Sequence, residues 1–229
     1  MRRRLGVAVG GLLTLAATAG AQVGHLPATS PYRDLEYTQE LSLIAGSFIA
    51  NKDPARVAPQ SGPIFGARYD WRIGGPASLV GEFAGIPSRR NVINPLAAGA
   101  ARDLGTRTRM LYTGNVGLGL SLTGAKSWHS IVPVVSGGLG FISDFRSKAD
   151  SGGFKFGTRF ALNGGAGIRW VPGGRWAARL YVMDRLYTIA YPESFYVAPT
   201  GGTAVVTAQQ ARSFWTHNPT FTLGISRLF

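Results

Sequence analysis

His25, His129 and His217 are the only imidazoles in the 229 residues, and the chain has no cysteine. A serine hydrolase or acyltransferase needs a histidine beside a serine, often with a carboxylate to orient the ring. Trp128-His129-Ser130 puts the two types side by side, but adjacent residues on a strand point to opposite faces. His217 stands in RSFWTHN with Ser213 nearby, while His25 precedes every patterned segment. No spacing has the look of a metal-ligand set. The glycine pairs at 137–138, 152–153, 164–165 and 173–174 precede no helix, as a phosphate-cradling loop would. Nothing here favours a catalytic centre, a metal or a cofactor.

The charges are more orderly. Glu40, Arg68, Asp70, Arg72, Glu82, Arg159, Arg169, Arg179 and Arg185 share one parity of segments in which bulky apolar residues hold the other. Six arginines facing three carboxylates in a confined space need partners, because an unpaired buried charge is costly. Arginine's fork suits bidentate bonding to carboxylates. Glu40, Asp70 and Glu82 are therefore expected to bridge arginines of other strands, with the surplus arginines reaching the rims. A second basic group, Arg89, Arg90, Arg102, Arg107 and Arg109, falls between patterned segments, where anionic lipid phosphates or plain water are equally suitable surroundings.

Eight segments carry the alternation: 37–50, 64–73, 77–86, 110–123, 131–145, 156–170, 176–187 and 219–229. In 64–73, Phe65, Ala67, Tyr69, Trp71 and Ile73 oppose Gly66, Arg68, Asp70 and Arg72. Ile44 and Phe48 break the pattern of the first segment, and Asp184 falls on the apolar parity of the seventh. Asp184 thus marks either a bulge or a rim position. Period 2 throughout means half-buried strands and an all-β chain. Short connectors (74–76, 124–130, 172–175) alternate with long ones (51–62, 87–109, 146–155, 190–218). That is the layout of an eight-stranded antiparallel up-and-down transmembrane β-barrel, apolar side to lipid, glycines and charges inside. Trp71, Trp170 and Trp176 sit where strands meet short turns and Trp128 lies in one, as an interfacial girdle would.

The ends of the chain fit export. MRRRLGVAVGGLLTLAATAGAQ has the charged, apolar and small-residue regions of a secretory leader cut after Ala21, so residues 1–21 are read as a signal peptide. Residues 22–36 are then a periplasmic segment and 37–229 the barrel. The chain's net charge is +13, and removing the three leader arginines leaves +10. An exported chain has no use for that charge on nucleic acid; lipopolysaccharide phosphates suit it better.

The terminal TLGISRLF resembles the assembly signal of bacterial outer-membrane barrels, with Thr222, Gly224 and Phe229 at its polar, glycine and aromatic positions. Arg227 departs, since an aromatic is usual there. The stretch 165–189, GAGIRWVPGGRWAARLYVMDRLYTI, is similar to a hairpin of small barrels of the OmpA-transmembrane and OmpW-like kind. The resemblance implies an outer-membrane location, recognition by the barrel-assembly machinery and a lumen closed by a charge network. The periplasmic peptidoglycan-binding domain that often follows such barrels is not expected after Phe229. A monomer among outer-membrane lipids and lipopolysaccharide, in a structural or surface-interaction role, is the resulting expectation. A narrow channel or carrier for small apolar molecules is the alternative, and a lipid A-modifying enzyme the third reading. The last long connector, with Phe195, Tyr196, Phe214 and Trp215, is the expected aromatic patch for recognition.

Overall fold

The period-2 segments form strands. The computed structural model describes residues 30–200, 202–207, 210 and 213–229; the leader 1–21, its cleavage point and residues 22–29 lie outside the described residues. In chain order the strands are β1 (Tyr32–Asp34), β2 (Gln39–Phe48), β3 (Gly62–Gly74), β4 (Ala77–Ile93), β5 (Asp103–Ser121), β6 (Lys126–Trp128), β7 (Ile131–Ser143), β8 (Thr158–Gly173), β9 (Trp176–Ala190) and β10 (Ser213–Leu228). β1 and β6 are short and pair with each other. The other eight pair antiparallel with their neighbours in sequence, and β10 returns to pair with β2. These eight strands form a closed barrel without a free edge.

The last residue completes the closure. Phe229 N–H donates to Gln39 O at 2.9 Å, and Phe229 O accepts from Thr38 and Gln39 N–H at 3.1 and 3.2 Å. Alternation then sorts the side chains by face. Leu43 is 71% exposed and its neighbour Ile44 3%, so the bulky parity faces outward and the other parity faces the lumen. Phe65, Phe83, Val116, Leu118, Leu139, Leu180 and Leu223 continue the outer apolar belt. Trp71, Trp128, Trp170 and Trp176 are about half exposed at the short-turn end. Arg227, at the position where an aromatic is usual, lies over the Trp176 ring with its guanidinium carbon 5.2 Å from the centroid. The departure thus keeps a flat, amphipathic group at that rim.

Two features of the strands differ from the expected bounds. β4 and β5 stay paired through a register shift after Asn91↔Thr106 as far as Ile93↔Asp103, so the connector expected over 87–109 shrinks to 94–102. The hairpin continues beyond the apolar belt, where polar residues on both faces hide its period. β9 likewise runs to Ala190 and β10 starts at Ser213. No bulge interrupts β9 against β10, so Asp184 keeps the outward parity.

The interior departs from a uniformly polar lumen. In the half next to the long loops, Phe48, Ile64, Ile86, Leu111, Ile142, Tyr187 and Ile189 point inward, each at most 2% exposed. The loops add Val57, Phe154, Phe156, Phe195 and Val206 to the same cluster. Phe48, an apparent break in the alternation, is therefore part of a core, and Ile44 is buried just below it. Folding the loops over the inner faces of the strand ends shuts water out there, so apolar residues suit the inward parity. Each such large side chain, buried, contributes roughly 1.5–3 kcal/mol.

At the other end the residues before β2 close the mouth. β1 pairs with β6 in the β5–β7 connector, on the opposite side of the ring from β2, so the intervening residues must cross the opening. Leu35 N–H donates to Ala125 O at 2.9 Å, and Arg72 Nη2 donates to Leu35 O at 2.8 Å. Thus residues 32–35, within the expected 22–36 segment, are built into the barrel floor.

Candidate functional site

Seven inward side chains form one alternating chain of charge. Arg169 and Arg179 both hold Glu40, Arg179 and Arg68 both hold Asp70, and Arg68 and Arg185 both approach Glu82. The sequence of contacts is Arg169–Glu40–Arg179–Asp70–Arg68–Glu82–Arg185. Register explains why arginines are needed. Glu40 and Asp70 are direct partners on β2 and β3, where like charges repel. Arg179 reaches across from β9 and donates to Glu40 Oε1 at 2.7 Å while its Nη2 lies 3.0 Å from Asp70 Oδ2. Arg68 grips Asp70 through Nε and Nη2 and lies over the Tyr181 ring, 4.6 Å from its centroid.

Arg185 occupies the centre of the lumen at 1% exposure. It donates to Glu82 on β4, to Thr113 Oγ1 on β5 at 3.2 Å, to Asn163 Oδ1 on β8 at 3.4 Å and to Thr220 Oγ1 on β10 at 3.3 Å. A single guanidinium thereby ties four other strands together. Charged hydrogen bonds of this kind are the strong ones, and buried they demand full satisfaction. Beneath the chain, between Leu35 and Glu40, Asp70, Arg72 and Arg169, only about 20 Å³ is open; a larger cleft of about 440 Å³ lies beside it at the short-turn rim, lined by Tyr37, Arg169 and Leu228 among others.

The structure leaves two of the nine candidates outside this chain. Arg72 is bonded at Leu35 O to the segment that crosses the opening, the strap, and Arg159 turns to Phe156 O (2.9 Å) and Lys155 O (3.4 Å) at the loop end. The five arginines of the second basic group also separate. Arg90 is buried against Asp150 and over Phe154, which takes it away from any surface. Arg102 donates to Ala97 O at 3.0 Å and Thr203 O at 2.7 Å. Arg89 and Arg107 are exposed and Arg109 half-buried along the β4–β5 hairpin. Of the terminal residues, Thr222 and Gly224 face the lumen and Phe229 faces outward.

Buried polar contacts fasten the loops over the apolar core. Asp53 accepts from Tyr191 Oη at 2.8 Å and from Val57 and Ala58 N–H, both at 3.1 Å. Burial, and then the Asp53 carboxylate, push the Tyr191 phenol up from its ordinary value. Asp150 accepts from Gly152 and Phe154 N–H as well as from Arg90. Sequence reasoning passed over both aspartates, although Asp53-Pro54 and Asp150-Ser151-Gly152 carry turn signals. Their partners are far along the chain, which no local pattern encodes. Phe195, expected in an exposed recognition patch, is fully buried, and Phe214 packs on the core. That patch does not exist as expected: Trp215 is exposed at 52% on the barrel's outer wall instead.

The histidines do not assemble a hydrolase centre among the described residues. His129 packs edge-on against Trp128, with centroids 4.8 Å apart. His217 Nδ1 lies 2.6 Å from Asp184 Oδ2 on the outer wall, and Asp184 Oδ1 accepts from Asn218 N–H at 2.9 Å. This pairing gives the outward carboxylate its partners, and no serine joins it in the described contacts.

No protein-family model matches the chain, and no curated protein matches it. Among solved structures, the outer membrane protein OprG from Pseudomonas aeruginosa is similar with a TM-score of 0.51 and 12% identity, over 84% of this chain and 97% of that one. The N-terminal β-barrel domain of Pseudomonas aeruginosa OprF gives 0.49 and 11%, over 84% and 98%. Neisserial surface protein A gives 0.45 and 12%, over 87% and 98%. At such identities likeness speaks to fold alone, and the likeness to OprG, with the closed register and the outer apolar belt, gives the conclusion: the chain is an eight-stranded β-barrel with the fold of the small outer-membrane proteins.

Proposed function

We propose that this protein, exported by its leader, sits in the bacterial outer membrane as a closed barrel that presents a folded loop cap at the cell surface. Its role is structural or one of surface interaction, rather than conduction. The observation that carries the reading is that side chains block the middle and the long-loop half of the interior. A crossing strap, a seven-membered charge chain and an apolar core capped by loops succeed one another along the axis. An eight-stranded barrel has an interior just wide enough for side chains to fill it.

The long loops are then extracellular and the strap periplasmic. Arg89, Arg107 and Arg109 stand where the β4–β5 hairpin leaves the apolar belt, in position to meet lipopolysaccharide phosphates. Thr222, Gly224 and Phe229 are read by the assembly machinery before the strand closes. Planar-bilayer recordings on the refolded protein test the reading directly: the membrane should stay quiet. A steady single-channel current would replace it with the narrow-channel reading.

A further inference from the structure

We propose that the first long loop, residues 49–61, carries a binding cleft for an anionic sugar. The proposal rests on the surface-interaction reading, because it needs this loop outside the cell. A cleft of about 350 Å³ opens there, lined by Asn51, Lys52, Arg56, Gln60, Ser61 and Asn91 among others. That size is at the small end of ligand clefts, which run roughly 300–1,000 Å³.

The loop is built to hold one cation outward. Arg56 adopts a left-handed backbone, φ 56°, which an arginine rarely does. Asp53 holds it there: its carbonyl accepts from Arg56 N–H at 3.0 Å, while its carboxylate takes the next two N–H groups, of Val57 and Ala58. Val57 and Ala58 are driven into the core, at 0% and 2% exposure. Arg90 Nη1 bonds Val57 O at 3.3 Å and fixes the same turn from below. The inward pull on these neighbours leaves Arg56 exposed at the cleft. Backbone strain held by a rigid surround is characteristic of ligand clamps.

The chemistry of the lining selects the ligand class. Lys52 and Arg56 are exposed cations without a carboxylate partner among the described residues. The Asp53 carboxylate beside them is already occupied by two N–H groups and the Tyr191 hydroxyl. Asn51, Gln60 and Asn91 supply carboxamides; Gln60 Nε2 and Thr106 Oγ1 already donate to Asn91 Oδ1, at 3.5 and 3.2 Å, which leaves the Asn91 amide to donate and the Gln60 oxygen to accept. Ser61 Oγ accepts from Ala50 N–H at 3.0 Å, which leaves its own proton to donate. The apolar lining is confined to Ala50, Ala58 and Pro59, with no aromatic ring or long aliphatic chain to hold an acyl group. Two cations and several hydroxyl-reading groups fit a sugar bearing phosphate or carboxylate.

The test uses the refolded full-length mature chain in detergent, with calorimetric titration of glucose 6-phosphate, glucuronate, glucose and inorganic phosphate. Every sample is first shown to migrate as a heat-modifiable barrel, so failure of the cleft is distinct from failure of the barrel. The two anionic sugars should bind about tenfold or more tighter than either glucose or phosphate. Arg56→Gly keeps the left-handed turn and removes the guanidinium, and Lys52→Gln removes the second cation. Each should weaken binding by about tenfold, a factor typical of one lost charged contact. Equal binding of inorganic phosphate, equal binding of glucose, or unchanged affinity in both variants would overturn the proposal, as would no saturable binding at millimolar concentration. A phosphorylated oligosaccharide from lipopolysaccharide and a uronic-acid oligosaccharide, titrated in parallel, identify the source: preference for the first points to the cell's own surface, for the second to a foreign glycan.

Discussion

Gly224 and Arg179 share one small volume of the lumen: a Cβ on Gly224 would lie 2.8 Å from Arg179 Cγ. Gly224 belongs to β10 and Arg179 to the charge chain, so a residue of the proposed assembly signal also makes room for that chain. Leu43 O and Ile44 Cγ2, both at 3.1 Å, shut off the other directions of escape.

Gly224→Ala should therefore displace Arg179 from between Glu40 and Asp70 and leave two carboxylates facing each other. Urea unfolding should show a loss approaching the roughly 3–5 kcal/mol of a broken buried pair, reduced where water enters. Gly81 is the control. It lies on the outer wall, and a Cβ there meets nothing within 4 Å. Gly81→Ala should be close to neutral, and comparable losses in the two variants would mean that Arg179 is not what the glycine accommodates.

Glu82→Ala should be more damaging than Glu82→Gln. Alanine strands Arg185, which is 1% exposed, and removes a partner of Arg68, whereas glutamine keeps a hydrogen-bond acceptor. The alanine variant should lose roughly 3–5 kcal/mol at most and show brief openings in bilayer recordings. Equal stability of the two variants would show that the charge at Glu82 is irrelevant to the plug.

The architecture was legible in the sequence because a barrel wall has a strict period and a strict solvent contrast. Phe65 to Ile73 could be assigned face by face from parity alone, and so could the inward placement of Glu40, Arg68, Asp70, Arg179 and Arg185. Partner choice was not legible. Arg179 and Glu40 are on strands separated by β10, and their meeting depends on register around a closed ring. The cap was hidden for a different reason. Phe154, Phe195 and Val206 lie in loops without period, and their burial follows from tertiary folding onto strand ends that happen to be apolar inside.

The cap predicts where added protease will cut intact cells. Residues 87–93 and 103–109 are paired strand, so cleavage in the second connector should concentrate within 94–102. Mass analysis of the fragments decides this, and early cuts at Arg89 or Arg107 would mean that the hairpin opens above the membrane.

The Tyr191–Asp53 contact should make the cap sensitive to alkali. The phenol's folded pKa is raised, so its stabilising contribution is complete below the ordinary tyrosine value of about 10 and is lost as pH climbs above it toward the folded value. Proteolysis of the first loop in the wild type should accelerate above about pH 10. Tyr191→Phe should cut faster already at neutral pH and lose much of that alkaline step. An identical pH profile in the variant would place the alkaline opening elsewhere.

Phe229 allows recognition by the assembly machinery to be separated from barrel stability. Its main chain closes the ring through Thr38 and Gln39, while its side chain is 53% exposed on the outer wall. Deleting the residue removes both contributions; Phe229→Ala removes only the ring. In detergent refolding, where no machinery takes part, Phe229→Ala should fold nearly as well as the wild type, because an exposed ring adds little to the core. The deletion should fold less completely, since two strand ends lose their backbone partners. In cells both should accumulate poorly in the outer membrane. If Phe229→Ala assembles normally in cells, the ring is not a signal. If it fails equally in detergent, its role is structural, and Phe229 is needed by the barrel rather than by what builds it.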